Sequence, residues 1–279
     1  MEIKRKKTKT IKVGNVNIGG SNPVVVQAMA KSKLKDSAKI KEEIEELENA
    51  GAEIIRLAIP EEESIGHLKS LMGQGLFTVP VVADVHFDYR LALKSLEIGV
   101  DCVRVNPGNI GYMERVSAII QKAKEKKAAI RIGVNSGSIE KEILRSNNGN
   151  IVDSMVESVL KYVKFFEDHN FFNFKISSKA SSVLDTIEVY EKVSQKVNYP
   201  LHLGVTEAGP LFRGSIKSAL GLGVLLSKGI GDTIRVSLTG KSTIEVMAGQ
   251  PARARGSRLV FAGRGARPGA APPPHGRDG

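Results

Sequence analysis

Residues 200–240 read PLHLGVTEAGPLFRGSIKSALGLGVLLSKGIGDTIRVSLTG, and the fold class follows from the order of their parts. Residues 201–205 are a short apolar run with β-branched content. The run ends in Thr206-Glu207-Ala208-Gly209, where a carboxylate and a glycine arrive together. From 215 to 228 the apolar residues Ile216, Leu220, Val224 and Leu225 recur at helical spacing, and Gly229 supplies a C-terminal stop. Residues 233–238 return to a strand that ends at Thr239-Gly240. Two strands joined by a helix form a parallel unit. Such sheets build their sites from polar residues just past the carboxyl ends of the strands.

The same unit recurs upstream. Strands are expected at 23–29 (VVVQAM), 53–59 (IIRLAI), 79–86 (VPVVADVH), 101–106 (CVRVN), 129–135 (AIRIGVN) and 173–178 (NFKISS). Helices are expected between them: one capped by Asp36, with Ile40, Ile44 and Leu47 on one face and Gly51 as its stop, then 62–72, 89–98, 113–127, 152–168 and 182–197. A polar excursion, SGSIEKEILRSNNGN, precedes the helix at 152. With 201–205 and 233–238 this makes eight strands, near-continuous in apolar residues as buried parallel strands are. The expectation is an α/β protein, a (β/α)8 TIM-type barrel, whose usual size is about 250 residues. An open doubly wound sheet is the alternative, and no G-x-G-x-x-G after the first strand supports it.

The 279 residues suffice for one large domain, and no apolar run approaches a membrane span. The start, MEIKRKKTKT, is basic without an apolar segment after it; it reads as a solvated arm rather than a secretory or nuclear signal, and a cytoplasmic location is the expectation. Cys102 is the single cysteine and sits in an apolar run, as a small core residue would; it can build neither a disulfide nor a multi-thiolate site. The net charge of +11 is uneven: residues 241–279 contribute +5. From Gln250 onward the chain is Pro, Ala, Arg and Gly without helical or strand period, too poor in apolar surface to fold alone. The expected division is an arm with a short β segment at 1–22, the barrel at 23–246, and a disordered tail at 247–279. We read the tail as a frameshifted or artefactual end rather than an RNA-binding Arg/Gly segment.

The strand ends carry the chemistry. The second strand brings Arg56, the third Asp84 and His86, and the fourth Arg104 and Asn106. The fifth brings Arg131 and Asn135, the sixth Lys175 and Lys179, the seventh His202 and Glu207, and the eighth Arg235 and Ser237. Buried arginine is expensive unless paired. The arginines could meet Asp84 and Glu207 as internal ion pairs, or point outward to the helices. Four on different strands with two nearby acids point instead to a polyanionic ligand, since guanidinium forks match phosphate geometry. Glu207 is the candidate proton donor or acceptor to a substrate hydroxyl. His86 and His202 read as rim or core histidines; a metal pair with Asp84 has no H-x-x-x-H spacing behind it.

These residues resemble the 4-hydroxy-3-methylbut-2-enyl diphosphate synthases, the GcpE or IspG family of the non-mevalonate isoprenoid pathway. The resemblance covers about residues 3–240 and is carried by VGNVNIGG, RLAIP, VADVHFD, VRVNPGNIG, RIGVNSGS, KISSKAS, LHLGVTEAG and SALGLGVLLSKGIGDTIRVSLTG. It implies an oxidoreductase that reductively opens 2-C-methyl-D-erythritol 2,4-cyclodiphosphate. It also implies a [4Fe–4S] cluster on a second domain, ferredoxin or flavodoxin as electron donor, and a head-to-tail homodimer. Carried over by motif, Arg56, Arg104, Arg131 and Lys179 bind the diphosphate. Asn106, Asn135 and Ser237 support it, and Glu207 handles the substrate hydroxyl. Lys175, Asp84, His86, His202 and Arg235 are second choices.

Two departures stand out. The family usually reads Gln-Ser-Met-Thr after the first strand, where this chain has Gln27-Ala28-Met29-Ala30-Lys31. The similarity also stops near 240–246, so the eighth helix is expected to be curtailed, its flank partly bare, and the cluster domain and its cysteine ligands absent. On that reading the chain alone binds substrate without reducing it, and is less stable. The alternatives are a pterin-binding-synthase-like barrel enzyme and an RNA-binding protein using its arginine-rich tail; membrane and nucleic acid are not the expected partners.

Overall fold

A computed structural model describes residues 3–180, 182–205 and 208–252, with the two-residue strands at 254–255 and 258–259. Eight parallel strands follow one another around a barrel: β3 (Val25–Met29), β4 (Ile54–Ala58), β5 (Val81–Asp84), β6 (Cys102–Val105), β7 (Ala129–Asn135), β8 (Phe174–Lys179), β9 (His202–Leu203) and β10 (Thr233–Ile234). β10 pairs with both β3 and β9, and a bridge from Ile176 to Leu201 closes β8 on β9. The last two strands are shorter than the apolar runs that announced them. Gly204 ends β9 where the Arg235 carbonyl comes within 2.7 Å of where a Cβ would stand. The chain there leaves the ladder for the loops of the mouth.

The pleat sorts each strand into two sets. One set, including Val26, Ala28, Ile55, Leu57, Val103, Val105, Ile130, Ile132, Ile176, Leu203 and Ile234, joins the helices in one apolar core. The opposite set lines the interior. At the N-terminal end that lining is Val25, Ile54, Val82, Cys102 and Ala129, sealed by Ile11, Val13 and Ile18 from the hairpin β1 (Ile11–Val13)–β2 (Val16–Ile18). Cys102 is wholly buried there, as expected of a core residue, and burial raises its thiol pKa.

The expected helices appear as α1 (Ser37–Asn49), α2 (Glu63–Gly73), α3 (Tyr89–Glu97), α5 (Met113–Lys126), α7 (Ile151–Asp168), α8 (Val183–Lys196) and α9 (Leu211–Ser227). Asp36 caps α1 through Lys39 N–H, and Ile40, Ile44 and Leu47 are buried beneath it. Two helices lay outside the expected pattern. Pro107–Ile110 forms the single turn α4, and the polar excursion contains α6 (Lys141–Ser146), held by one buried apolar residue, Ile143.

The eighth helix, α10 (Ser242–Gly249), is eight residues long but does cover the flank expected to be bare. Val246 is buried, and Gly249 lies close enough to β3 that a Cβ would meet Val26 at 3.2 Å. The expected barrel boundary at 246 therefore falls inside a helix. Gln250 continues the contact, its Nε2 donating to the Gly51 carbonyl at 2.8 Å. What the shortness leaves is a groove of about 310 Å3 between α9 and α10, lined by Leu222, Leu226, Val236 and Pro251.

The basic arm is also not simply solvated. Buried Arg5 donates to the carbonyls of Asn22 (2.6 Å) and Gly231 (3.1 Å) and pairs with Asp232 at 3.1 Å. Asp232 accepts in addition from Thr8 Oγ1 at 3.0 Å and Leu201 N–H at 2.9 Å. Among the described residues no helix is long and apolar enough to cross a membrane.

Removing one partner of a buried pair leaves the other charge without compensation. Asp232→Ala is therefore expected to cost about 3–5 kcal/mol in urea unfolding. A loss below about 1 kcal/mol, the scale of an exposed pair, would mean the arm is not anchored by Asp232.

Candidate functional site

Strand register gathers the charged residues. Asp84 pairs with Arg104, Arg104 with Arg131, and Arg131 with Lys175, so four consecutive strands present one row of side chains to the interior. Arg56 joins from β4: its Nε lies 3.5 Å from Asp84 Oδ2, while Arg104 Nη1 lies 3.3 Å from Asp84 Oδ1. Arg56 also places Nη2 2.6 Å from the Met29 sulfur. The strand arginines thus face inward and meet one another. The outward alternative does not hold.

One carboxylate serves two guanidinium groups, and Arg131 has no acid partner among the described residues. Arg131 is 2% exposed, and its Nε and Nη1 make no hydrogen bond; Nε of Arg56, Arg104 and Arg235 is likewise without one. Burial, then Arg104, brings Arg131 down to about 10. Burial lowers Arg56 well below its usual value, with Asp84 opposing and the other arginines reinforcing. Burial alone would raise the Asp84 carboxyl, but Arg56, the His86 ring at 3.3 Å, Arg104 and Arg131 outweigh it and hold it well below the usual carboxylate range.

Deeper in the barrel Lys175 is wholly buried, its Nζ donating to Gln27 Oε1 at 3.3 Å, and burial lowers it to about 8. His202 is equally buried, with Nδ1 2.7 Å from Thr233 Oγ1; burial and then Arg131 and the two lysines keep its ring neutral. It does not meet His86 or Asp84, so the three form no metal set. At the mouth, half-buried Lys179 is lowered well below its usual value by burial, then by Arg235, Arg131, Arg56 and Arg104. Half-buried Arg235 sits 3.6 Å from Glu245, and Ser237 is half-buried two residues on.

Backbone and loops hold this arrangement. Gly133 lets Arg104 lie across β7: a Cβ there would stand 2.6 Å from Arg104 Nε. Asn106 donates to Ser138 Oγ at 2.8 Å, and that hydroxyl donates to the Asn135 carbonyl at 3.0 Å, joining the loops after β6 and β7. Lys31, the departure after the first strand, supplies a tie instead of hydroxyl contacts. Its Nζ reaches the carbonyls of Leu238 (2.9 Å) and Gly240 (2.8 Å) and Glu245 Oε1 (2.8 Å).

Every expected site residue on a strand end is thus brought to one mouth or just beneath it, except Glu207, which lies outside the described residues. Sequence reading missed Gln27, Glu245 and Gly133. The signals were there: an amide in an apolar strand, and a glycine within a strand, which marks a close approach.

A family model, the GcpE TIM-barrel domain, matches residues 8–250. The chain belongs to the GcpE family. Among its relatives is a protein of Lawsonia intracellularis, 48% identical over 255 residues, covering 91% of this chain and 70% of the relative. One from Caldanaerobacter subterraneus subsp. tengcongensis is 51% identical over 246 residues (88% and 69%), and one from Nitratidesulfovibrio vulgaris is 50% identical over 246 (88% and 63%). All three are named 4-hydroxy-3-methylbut-2-en-1-yl diphosphate synthase (flavodoxin). Among solved structures, the Yersinia pestis dihydropteroate synthase aligns with a TM-score of 0.59 at 12% identity over 85% of this chain and 95% of its own. The Xanthomonas albilineans enzyme aligns at 0.58 and 10% over 88% and 96%. At that identity the GcpE barrel shares their fold, and the pterin-synthase reading gains nothing more.

Iron–sulfur chemistry belongs to the GcpE family, but the described residues do not fit a cluster. Cys102 is the only cysteine and is buried in β6, and no group of three His, Cys, Asp or Glu among the described residues is placed to hold a metal.

Asp84 binds fewer protons in the folded chain than in the unfolded one between its depressed value and the ordinary value of about 4. Stability therefore rises with pH through that window and is lost as pH falls through it. The stability gap between wild type and Asp84→Asn should be largest at pH 7 and should narrow at pH 3. An equal gap at both pH values in urea unfolding would show that the ion pairs contribute nothing.

Proposed function

We propose that this GcpE barrel binds 2-C-methyl-D-erythritol 2,4-cyclodiphosphate and serves the oxidoreductase reaction that opens it to 4-hydroxy-3-methylbut-2-enyl diphosphate in non-mevalonate isoprenoid biosynthesis. The observation that carries the reading is the convergent cationic mouth in which buried Arg131 has, among the described residues, neither acid nor hydrogen-bond partner at two of its nitrogens. A buried guanidinium is tolerated when something anionic meets it, and two linked phosphoryl groups offer oxygens enough for several forks.

In this reading Arg56, Arg104, Arg131 and Lys179 hold the diphosphate. Arg235 reaches it from the last strand, and Lys175 adds charge from below. Asp84 aims Arg56 and Arg104 rather than touching the ligand, since a carboxylate would repel it. Asn106, Asn135 and Ser237 orient the carbon skeleton, and Glu207 exchanges a proton with a substrate hydroxyl. The closed barrel excludes water from below, which strengthens each of these interactions. The [4Fe–4S] cluster of the family would supply electrons when bound. The relatives' names favour flavodoxin as donor, with ferredoxin second. A homodimer and a cytoplasmic setting complete the reading.

Titration calorimetry with the cyclic diphosphate tests it. Loss of charged hydrogen bonds should weaken binding by about 10–100-fold in Arg131→Gln, with circular dichroism unchanged. Equal affinity in the two proteins would remove the assignment.

A further inference from the structure

We propose that the barrel mouth is matched to the ring-opened ligand, a linear diphosphate monoester, more closely than to the cyclic diphosphate that enters it. The inference rests on the proposed function and extends it to the direction in which the site's charge is biased.

The first ground is the charge balance of the cluster. Arg56, Arg104, Arg131, Lys175, Lys179 and Arg235 face one another, and two described carboxylates reach them, Asp84 and Glu245. Glu245 is shared with Lys31. With all six charged and Glu207 counted as ionised, the balance stays positive by three, one more than a doubly negative ligand neutralises. The second ground is hydrogen-bonding capacity. Buried Nε and Nη1 of Arg131, and Nε of Arg104 and Arg235, have no acceptor among the described residues, while Nε of Arg56 has only Asp84 at 3.5 Å. They are fixed donors waiting for oxygens, in surroundings where each added charge counts for more than it does in water.

The reaction creates that charge. Each phosphorus of the cyclic ligand carries one ester and one anhydride bridge and keeps one ionisable oxygen, so the ligand carries two negative charges at neutral pH. When the ring C–O bond breaks, its electron pair stays on the phosphoryl oxygen. Two electrons from a low-potential carrier and one proton complete the balance. The neighbouring hydroxyl leaves as water, a carbon–carbon double bond forms, and the diphosphate ends with three negative charges. The last ionisation of its terminal phosphoryl lies near about pH 6. A site with surplus cations and unfilled donors therefore stabilises the leaving oxygen as its charge develops, and it retains the product.

The experiment compares two ligands on the 279-residue chain by calorimetry: the cyclic diphosphate and dimethylallyl diphosphate, a linear five-carbon monoester, at pH 7.5 and pH 5. The linear ligand should bind at least ~10-fold more tightly at pH 7.5. The advantage should shrink several-fold at pH 5, where its terminal phosphoryl holds a proton. Over this range burial disfavours charge on His202, while Lys175, at about 8, gains charge toward pH 5 and Lys179, also lowered by burial, moves the same way, which strengthens the hold on both ligands alike. Arg131→Gln and the half-buried Arg235→Gln should each narrow the ratio. The charge match falls, with the proposed function intact, on any of three results: the cyclic ligand binds as tightly at pH 7.5, the preference is the same at pH 5, or the ratio is unchanged in both variants. If neither ligand binds, both readings fall.

Discussion

Asp84 standing between Arg56 and Arg104 is the interaction on which the barrel mouth depends. It lets two guanidinium groups be buried side by side, with their remaining nitrogens aimed at the interior. Arg131 extends the row without an acid of its own among the described residues. A second carboxylate there would have made the row a closed salt-bridge network with little left for a ligand. With one carboxylate in the row among the described residues, the barrel tolerates the charge but does not cancel it.

Holding like charges together demands a stiff frame. The strands supply most of it, because register sets the spacing of Asp84, Arg104, Arg131 and Lys175. The ends are tied separately. Arg5 and Asp232 fasten the arm beneath the barrel. At the mouth, Lys31 joins the loop after β3 to the loop after β10 and to α10, closing the sector where the last helix is short. Glycine at 133 provides room that any side chain would take from Arg104. This chain secures that sector through the Lys31 cation.

Much of this was legible in residues. Alternation of apolar strands with amphipathic helices announced eight parallel units, and stops such as Gly51 and Gly229 marked helix ends through their positive φ. Arginines recurring on several strands announced a cationic cluster. Less legible were the segments whose conformation local pattern does not decide. α6 is polar with a single buried apolar residue, so periodicity offered no signal. β9 and β10 are two residues each, and where their ladders end is set by the neighbouring strands rather than by their own apolar runs. The arm looked solvated because its basic composition does not reveal Asp232, more than two hundred residues away, as its partner.

The sequence by itself determined the fold class, the family and the identity of the cationic side chains, because period-two and helical patterning are local properties written in neighbouring residues. Only the tertiary structure decided that these cations point inward, that Asp84 is divided between two of them while Arg131 goes without an acid among the described residues, and that His202 meets Thr233 and not His86 or Asp84. Those outcomes turn on which strands lie side by side and in what register. Burial, and with it the strength of every charge interaction, exists only once the barrel has closed.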